Sequence, residues 1–353
     1  MNRLDLRARI LLAIGAGGLV VACGSSDSTG QGAGKDASSS GDATADAAGG
    51  ASDAGEASAD AAGDGGDAAA ATDAPVDAGP DRISVRRPFL VGSSLRVAPS
   101  VERDDWELVA ELDAAALDAV TARALAEAWG HDGCEEHASI AAFARFTMHL
   151  LAVGAPPDMV VQSQRASLDE VEHARACFLL ARRYGGRAVG PAPLSLEGAL
   201  APATLVEMAA LTAEEGCVGE TLGVLLAREQ LARTRDACVR RLLVRANIVA
   251  DEEQHAELAW RFVAWAIARG GEPVRQAVAA AIRRAVEATL ATPVRRYAGV
   301  DVDAWRAHGR LTCEDARAVA RRGIRELVLP SAAAMLGASA ASALHRPGAT
   351  LAV

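Results

Sequence analysis

The chain has 353 residues, half of them hydrophobic but only 3% aromatic, and a formal net charge of −10. The acidity is confined: Cys23 to Pro80 holds ten Asp and Glu56 against Lys35 alone, which leaves residues 81–353 near −2. A domain so balanced has no basic footprint for nucleic acid, and that class of partner is excluded.

At the N-terminus Arg3, Arg7 and Arg9 precede an apolar run, Ile10 to Val21, that is too short to span a bilayer. This is the layout of a secretory signal over residues 1–22. It ends Leu19-Val20-Val21-Ala22-Cys23 and continues Gly24-Ser25-Ser26, a string that resembles a bacterial lipoprotein signal. The resemblance implies acylation of Cys23, which then anchors an extracytoplasmic protein to a bacterial membrane, at the periplasm or the cell surface. An ordinary cleaved signal with a chance cysteine is the alternative. Residues 23–80 are nearly all Gly, Ala, Ser and Asp. With so little apolar surface to offset the entropy of ordering, they are expected to form a disordered tether, with a root-mean-square reach of about 40 Å.

Residues 81–118 carry short apolar pieces, such as Phe89-Leu90-Val91 and Trp106-Glu107-Leu108-Val109, and read as an irregular lead-in wrapped on the domain. Helical periods then begin. A first helix is expected from about Ala119 to Val153, with a kink available at Gly130–Gly133, ending at Gly154-Ala155-Pro156-Pro157. A second runs from about Asp158 to Tyr184 and stops at Gly185-Gly186. The proline-containing stretch Arg187 to Pro202 is too long for a tight antiparallel connection and reads as a crossover. A third helix spans about Ala203 to Arg233. The turn Thr234-Arg235-Asp236 leads into a fourth, which ends before Gly270-Gly271. Residues 272–353 hold two further helices, about Glu272–Leu290 and Thr312–Leu329, the latter broken by Pro330, and then a tail.

One string recurs. Asp169-Glu170-Val171-Glu172-His173 returns as Asp251-Glu252-Glu253-Gln254-His255, and each copy holds a Glu-x-x-His whose ends share a helix face. Glu135-Glu136 stands upstream of the first copy, and Glu214-Glu215 at a similar distance upstream of the second. The inward stripes select among them. Trp129, Glu136, Ile140, Phe143 and Thr147 favour Glu136 over Glu135; Met208, Leu211, Glu215, Val218, Leu222 and Leu225 favour Glu215 over Glu214. Ala166, Glu170, His173, Cys177 and Leu180 line the second helix, and Ile248, Glu252, His255, Leu258 and Phe262 the fourth. His137 lies about 100° from Glu136 and reads as solvated.

Two Glu-x-x-His motifs, two upstream Glu and a crossover between the halves resemble the ferritin-like four-helix bundle of the di-iron carboxylate superfamily, whose relatives include rubrerythrins and di-iron oxygenases. The fold implied is all-α, with residues 119–271 as the bundle, a long crossover between helices 2 and 3, and extra C-terminal helices. The implied ligands of two iron ions, or manganese, are Glu136, Glu170, His173, Glu215, Glu252 and His255. Two cations also remove the cost of burying several carboxylates. Asp169 and Asp251 are either partners that orient the ligand imidazoles or ordinary exposed acids.

Glu220 lies five positions after Glu215, so an ideal helix points it about 140° away. A π-bulge would bring it inward as an extra carboxylate. Gly216, Gly219 and Gly223 signal either close helix contact or room for a ligand. The five cysteines after Cys23 are odd in number, lie in helical patterns and form no CxxC, so they read as small buried apolar residues. Without a CxxC pair there is no rubredoxin-type iron, and turnover would need an external electron donor. The function the resemblance implies is a possible oxidase, hydroxylase or peroxidase; the alternative is a non-catalytic iron- or peroxide-handling or structural lipoprotein.

Overall fold

The computed structural model describes residues 6–12, 14–15, 87–108, 110, 112–291 and 299–337. Cys23, the expected tether and the extreme C-terminal tail lie outside the described residues. What is described belongs to one unit of the chain, Met1–Gly24 with Val76–Val353.

The described chain is mostly helical. Helix α1 (Ala119–Ala152) starts where Asp118 accepts hydrogen bonds from the Val120 and Thr121 N–H groups. It runs unbroken through Gly130–Gly133, where a kink was available. A Cβ on Gly133 would stand 2.7 Å from the Phe178 ring, so the glycine admits a neighbouring side chain instead of bending the rod. Helix α2 (Pro157–Gly185) has proline in its first turn and ends at Gly186, whose φ of 69° is the left-handed cap glycine tolerates. The two rods are stitched by Thr147 Oγ1 donating to Ser163 Oγ (2.8 Å) and by Ser163 and Ser167 donating to the Phe143 and Ile140 carbonyls.

The lead-in is more ordered than its composition suggested. Strands β1 (Leu90–Val91) and β2 (Ser94–Leu95) pair with each other, and β3 (Ser100–Glu102) pairs with β4 (Val189–Pro191), which lies in the crossover between α2 and the next helix. Arg87 and Phe89 of the lead-in are buried.

The third rod is continuous but not uniform. Helix α3 (Leu205–Thr212) opens on a Thr204–Glu207 capping box, passes into a π-helical segment π1 (Ala213–Glu220), and resumes as α4 (Thr221–Arg233). The turn at Asp236 does not lead straight into the fourth rod. A short helix α5 (Ala237–Arg245) comes first, the chain breaks at Asn247 (φ 55°), and α6 (Ile248–Ala291) follows. Gly271, at φ 65° and ψ −143°, interrupts α6 where Gly270-Gly271 was expected to end it. Helix α6 packs along α3, π1, α4 and α2. A Cβ on Gly216 would sit 2.4 Å from that of Ala259, so at this glycine the rods touch.

Helices α7 (Val302–Ala307), α8 (Cys313–Gly323), π2 (Ile324–Val328) and α9 (Leu329–Leu336) complete the fold. Pro330 does not end the helix, as expected from sequence. It sits in the first turn of α9, directly after the wide π2 turn. The last three share the main core, where Val319, Ile324, Val328 and Ala332 are buried with Leu222 and Phe262, whereas Trp305 of α7 packs in a second cluster with Trp129 and Val239. Each such large side chain contributes about 1.5–3 kcal/mol of burial.

Of the N-terminal stretch, residues 6–12 and 14–15 are helical; Leu6 and Ile10 are buried and Arg9 bonds to Glu253 (2.6 Å) and Glu257. No helix among the described residues is long and apolar enough to cross a membrane.

Candidate metal centre

Four rods each send acidic groups into the interior. Glu136 comes from α1, Glu170 and His173 from α2, Glu220 from the end of π1, and Glu252 and His255 from α6; all six are at most 2% exposed. Their potential ligand atoms form two groups, each within 4.8 Å: Glu136, Glu170, His173 and Glu252 in one, and Glu170, Glu220 and His255 in the other. Glu170 belongs to both.

Glu215, expected from sequence as a ligand, is not in either group. It is buried as its stripe required, but Arg145 Nη2 donates to its Oε1 at 2.9 Å, the Leu90 N–H donates to the same oxygen at 3.3 Å, and Arg87 Nε lies 3.8 Å from Oε2. The reason is π1. A turn closed by i→i+5 bonds takes up about one more residue than an α turn, so the helix phase shifts along Ala213–Glu220. Glu220 comes round to the interior, and Glu215 faces the arginines instead.

The imidazoles are oriented crosswise. His173 Nε2 stands 3.3 Å from Asp251 Oδ2, and His255 Nε2 stands 3.2 Å from Asp169 Oδ2. Each Asp therefore serves the histidine of the other motif. A carboxylate can only accept, so Nε2 of each ring carries the proton and Nδ1 faces the acidic interior. His173 Nδ1 lies 3.6 Å from Glu170 Oε2 and 3.9 Å from Glu252 Oε1; His255 Nδ1 lies 3.3 Å from Glu170 Oε1. Neither Nδ1 has a hydrogen-bond partner among the described residues. Such separations are long for hydrogen bonds and suit atoms that share a cation. Asn247 Nδ2 donates to Asp251 Oδ1 at 2.7 Å, so the break before α6 helps fix the acid that orients His173.

Electrostatics point the same way. Burial alone would raise the Glu170 carboxyl, yet the two facing imidazoles bring it down to about 2. Burial opposes charge on His173, and its hydrogen bond to Asp251 and the nearby Glu170 reverse that, raising it to about 9. His255 is raised well above its usual value against the same burial, by Asp169 and Glu170. Glu220 is pushed well up, first by burial and then by Glu252. The cluster demands positive charge, supplied by protons or by metal ions. Its donors, carboxylates with one imidazole per group, are hard enough for iron or manganese, and these buried groups can hold a metal ion.

The other residues singled out from sequence fall as follows. Glu135 and Glu214 are partly exposed, and His137 is half-buried against the Trp106 ring at 5.0 Å, where burial lowers its pKa. Of the five described cysteines, Cys134, Cys177, Cys217 and Cys238 are buried. Arg87, Arg145 and Asn247 were missed. Arg145 carried one signal: it continues the small-residue stripe Ala138 and Ala142 on a buried face. Arg87 lies in a lead-in that offers no period to read.

No family model, curated protein or solved structure matches this chain.

Proposed function

We propose that the protein is a dinuclear metalloprotein on a ferritin-like four-helix bundle, carrying two iron ions and held outside the cytoplasm by acylated Cys23. In this reading it reacts with dioxygen or peroxide as an oxidoreductase fed by an external electron donor. The observation that carries the reading is the reciprocal pairing of Asp169 with His255 and Asp251 with His173 around the shared Glu170. Two ordinary surface Glu-x-x-His motifs have no reason to be buried, aligned and cross-braced.

Glu136, Glu170, His173, Glu220, Glu252 and His255 would hold the two ions, which would supply electrons to an oxidant. The chain's own residues do the rest. Glu170 sits between the two groups and holds both ends of the centre in register. Asp169 and Asp251 retain the Nε2 protons, which keeps Nδ1 of each ring available and fixes the ring planes. Phe143, packed edge-on against His255 at 4.9 Å, holds that ring from one flank.

A second reading, a non-catalytic iron- or peroxide-handling or structural metal protein, is favoured by the close contact of Gly216 with Ala259, which narrows the space beside π1. One experiment separates them. The purified domain should contain two metal ions, and the anaerobically reduced form should change its visible spectrum within seconds of meeting oxygen or peroxide. Two ions without that response would select the second reading; no metal uptake from iron or manganese would end both. Anchoring is tested apart: Cys23→Ser should move the protein out of the detergent phase on cell fractionation.

A further inference from the structure

One buried charge beside the cluster is left over. Glu215 already has a full partner in Arg145, at 2.9 Å, and the Leu90 N–H as well. Arg87 is 2% exposed, yet its nearest carboxylate atom among the ion pairs is Glu215 Oε2 at 3.8 Å, beyond hydrogen-bond reach. Among the described residues, Nε and Nη1 of Arg87 have no hydrogen-bond partner. Its guanidinium lies over two rings, Phe143 at 4.6 Å and Phe146 at 4.5 Å, and Phe143 in turn abuts His255. On its other side Nη1 is 3.5 Å from where a Cβ of Gly216 would be, one π turn from Glu220. A buried guanidinium with idle N–H groups is costly, and ring faces offset only part of that.

The group that contains Glu220, which Arg87 feels electrostatically, is also the poorer in donors: Glu170, Glu220 and His255, against four residues in the other. With Glu215 withdrawn by Arg145, an ion held there keeps coordination positions that the chain does not fill. We propose that Arg87 makes the Glu170–Glu220–His255 side of the centre a binding site for a small monoanion, of the size of azide or formate, which binds the metal there and accepts hydrogen bonds from the idle Arg87 N–H groups. Close packing of Phe143, Phe146, Gly216 and Ala259 sets the size limit, and the planar fork of Arg87 suits a flat or linear anion. The inference rests on the dinuclear reading above.

The test uses the metal-loaded protein and titrates it with azide and with formate, following the visible spectrum, with metal content measured on the same samples. Wild type should bind both anions. Arg87→Met should retain both metal ions and bind azide at least about tenfold more weakly, the loss of a charge-assisted hydrogen bond; Arg87→Lys, which keeps the charge, should fall between. Arg87→Gln takes the place of Arg87→Met if that variant does not fold. Two bound ions in wild type with no anion binding, or with equal azide affinity in wild type and the uncharged variant, overturns the assignment while leaving the dinuclear centre intact. Absence of metal from wild type overturns the centre and this inference together.

Discussion

The two helix pairs that build the centre make unequal use of the same recipe. In α1 and α2 every inward group stands in regular helix, and Glu136, Glu170 and His173 fall where a 3.6-residue period puts them. In the second pair, α6 repeats the Glu-x-x-His pattern faithfully, but its partner carboxylate arrives through π1. One wide turn exchanges Glu215 for Glu220 and leaves both buried. Burial is thus no guide to which of two acids is the ligand. The discriminating fact is the partner each one meets: arginine for Glu215, the carboxylate–imidazole cluster for Glu220.

The sharpest way to break this comparison starts at the residue both groups share. Glu170→Ala should cost the protein both ions, as read by metal analysis after dialysis; retention of two would show that Glu170 does not hold the halves together. Next comes the exchange itself. Glu215→Ala leaves Arg145 and Arg87 buried without a counter-charge and should destabilise the fold by about 3–5 kcal/mol in urea unfolding, with two ions still bound. Glu220→Ala should do the reverse, losing one ion with a smaller change in stability. If Glu215→Ala loses metal and Glu220→Ala does not, the register drawn from π1 is wrong.

The crossed braces predict a graded effect. Asp251→Asn and Asp169→Asn should each weaken metal binding about 10- to 100-fold. Asp251→Asn should be the stronger of the two, because Asp251 is buried and held by Asn247 whereas Asp169 is about a third exposed. Equal wild-type affinity in both variants would reduce the braces to ordinary packing.

The metal-free domain should also titrate. His173, raised from 6.5 to about 9, contributes stability that is full below pH 6.5 and disappears as pH climbs through 9. Glu170, lowered from 4.5 to about 2, contributes stability present above pH 4.5 and lost as pH falls through 2. Thermal melts of chelated protein should therefore decline from pH 6.5 to 9, while metal affinity improves over the same interval because binding displaces protons. A flat melt across that range would mean the imidazoles are not charged. The smallest effects belong to the outward acids: Glu214→Ala and Glu135→Ala should leave metal content unchanged and stability within about 0.5 kcal/mol.

Much of this is legible in the sequence. Helix extents follow from apolar period and punctuation, because proline and left-handed glycine act within a few residues of themselves; Pro157 and Gly186 do so here. The repeated Asp-Glu-x-x-His placed four of the six clustered side chains, since i and i+3 share a face in any α-helix, and the inward stripe of the first helix added Glu136. It also marked Asp169 and Asp251 without saying which histidine each would serve. That answer, crosswise, exists only once α2 and α6 lie side by side.

Tertiary structure decided the rest. Whether Ala213–Glu220 winds as α or π depends on what packs against it, and here the third rod is pressed against α6 with Gly216 on Ala259. Pro330 likewise follows a π turn instead of ending a helix. Arg87 has no local pattern at all, and its position beside the cluster comes from a lead-in that pairs through short β ladders and inserts between rods. Sequence determines what a residue can do within one turn of itself. Which charges meet across helices is set by packing, where the burial of one arginine or the width of one turn outweighs local preference.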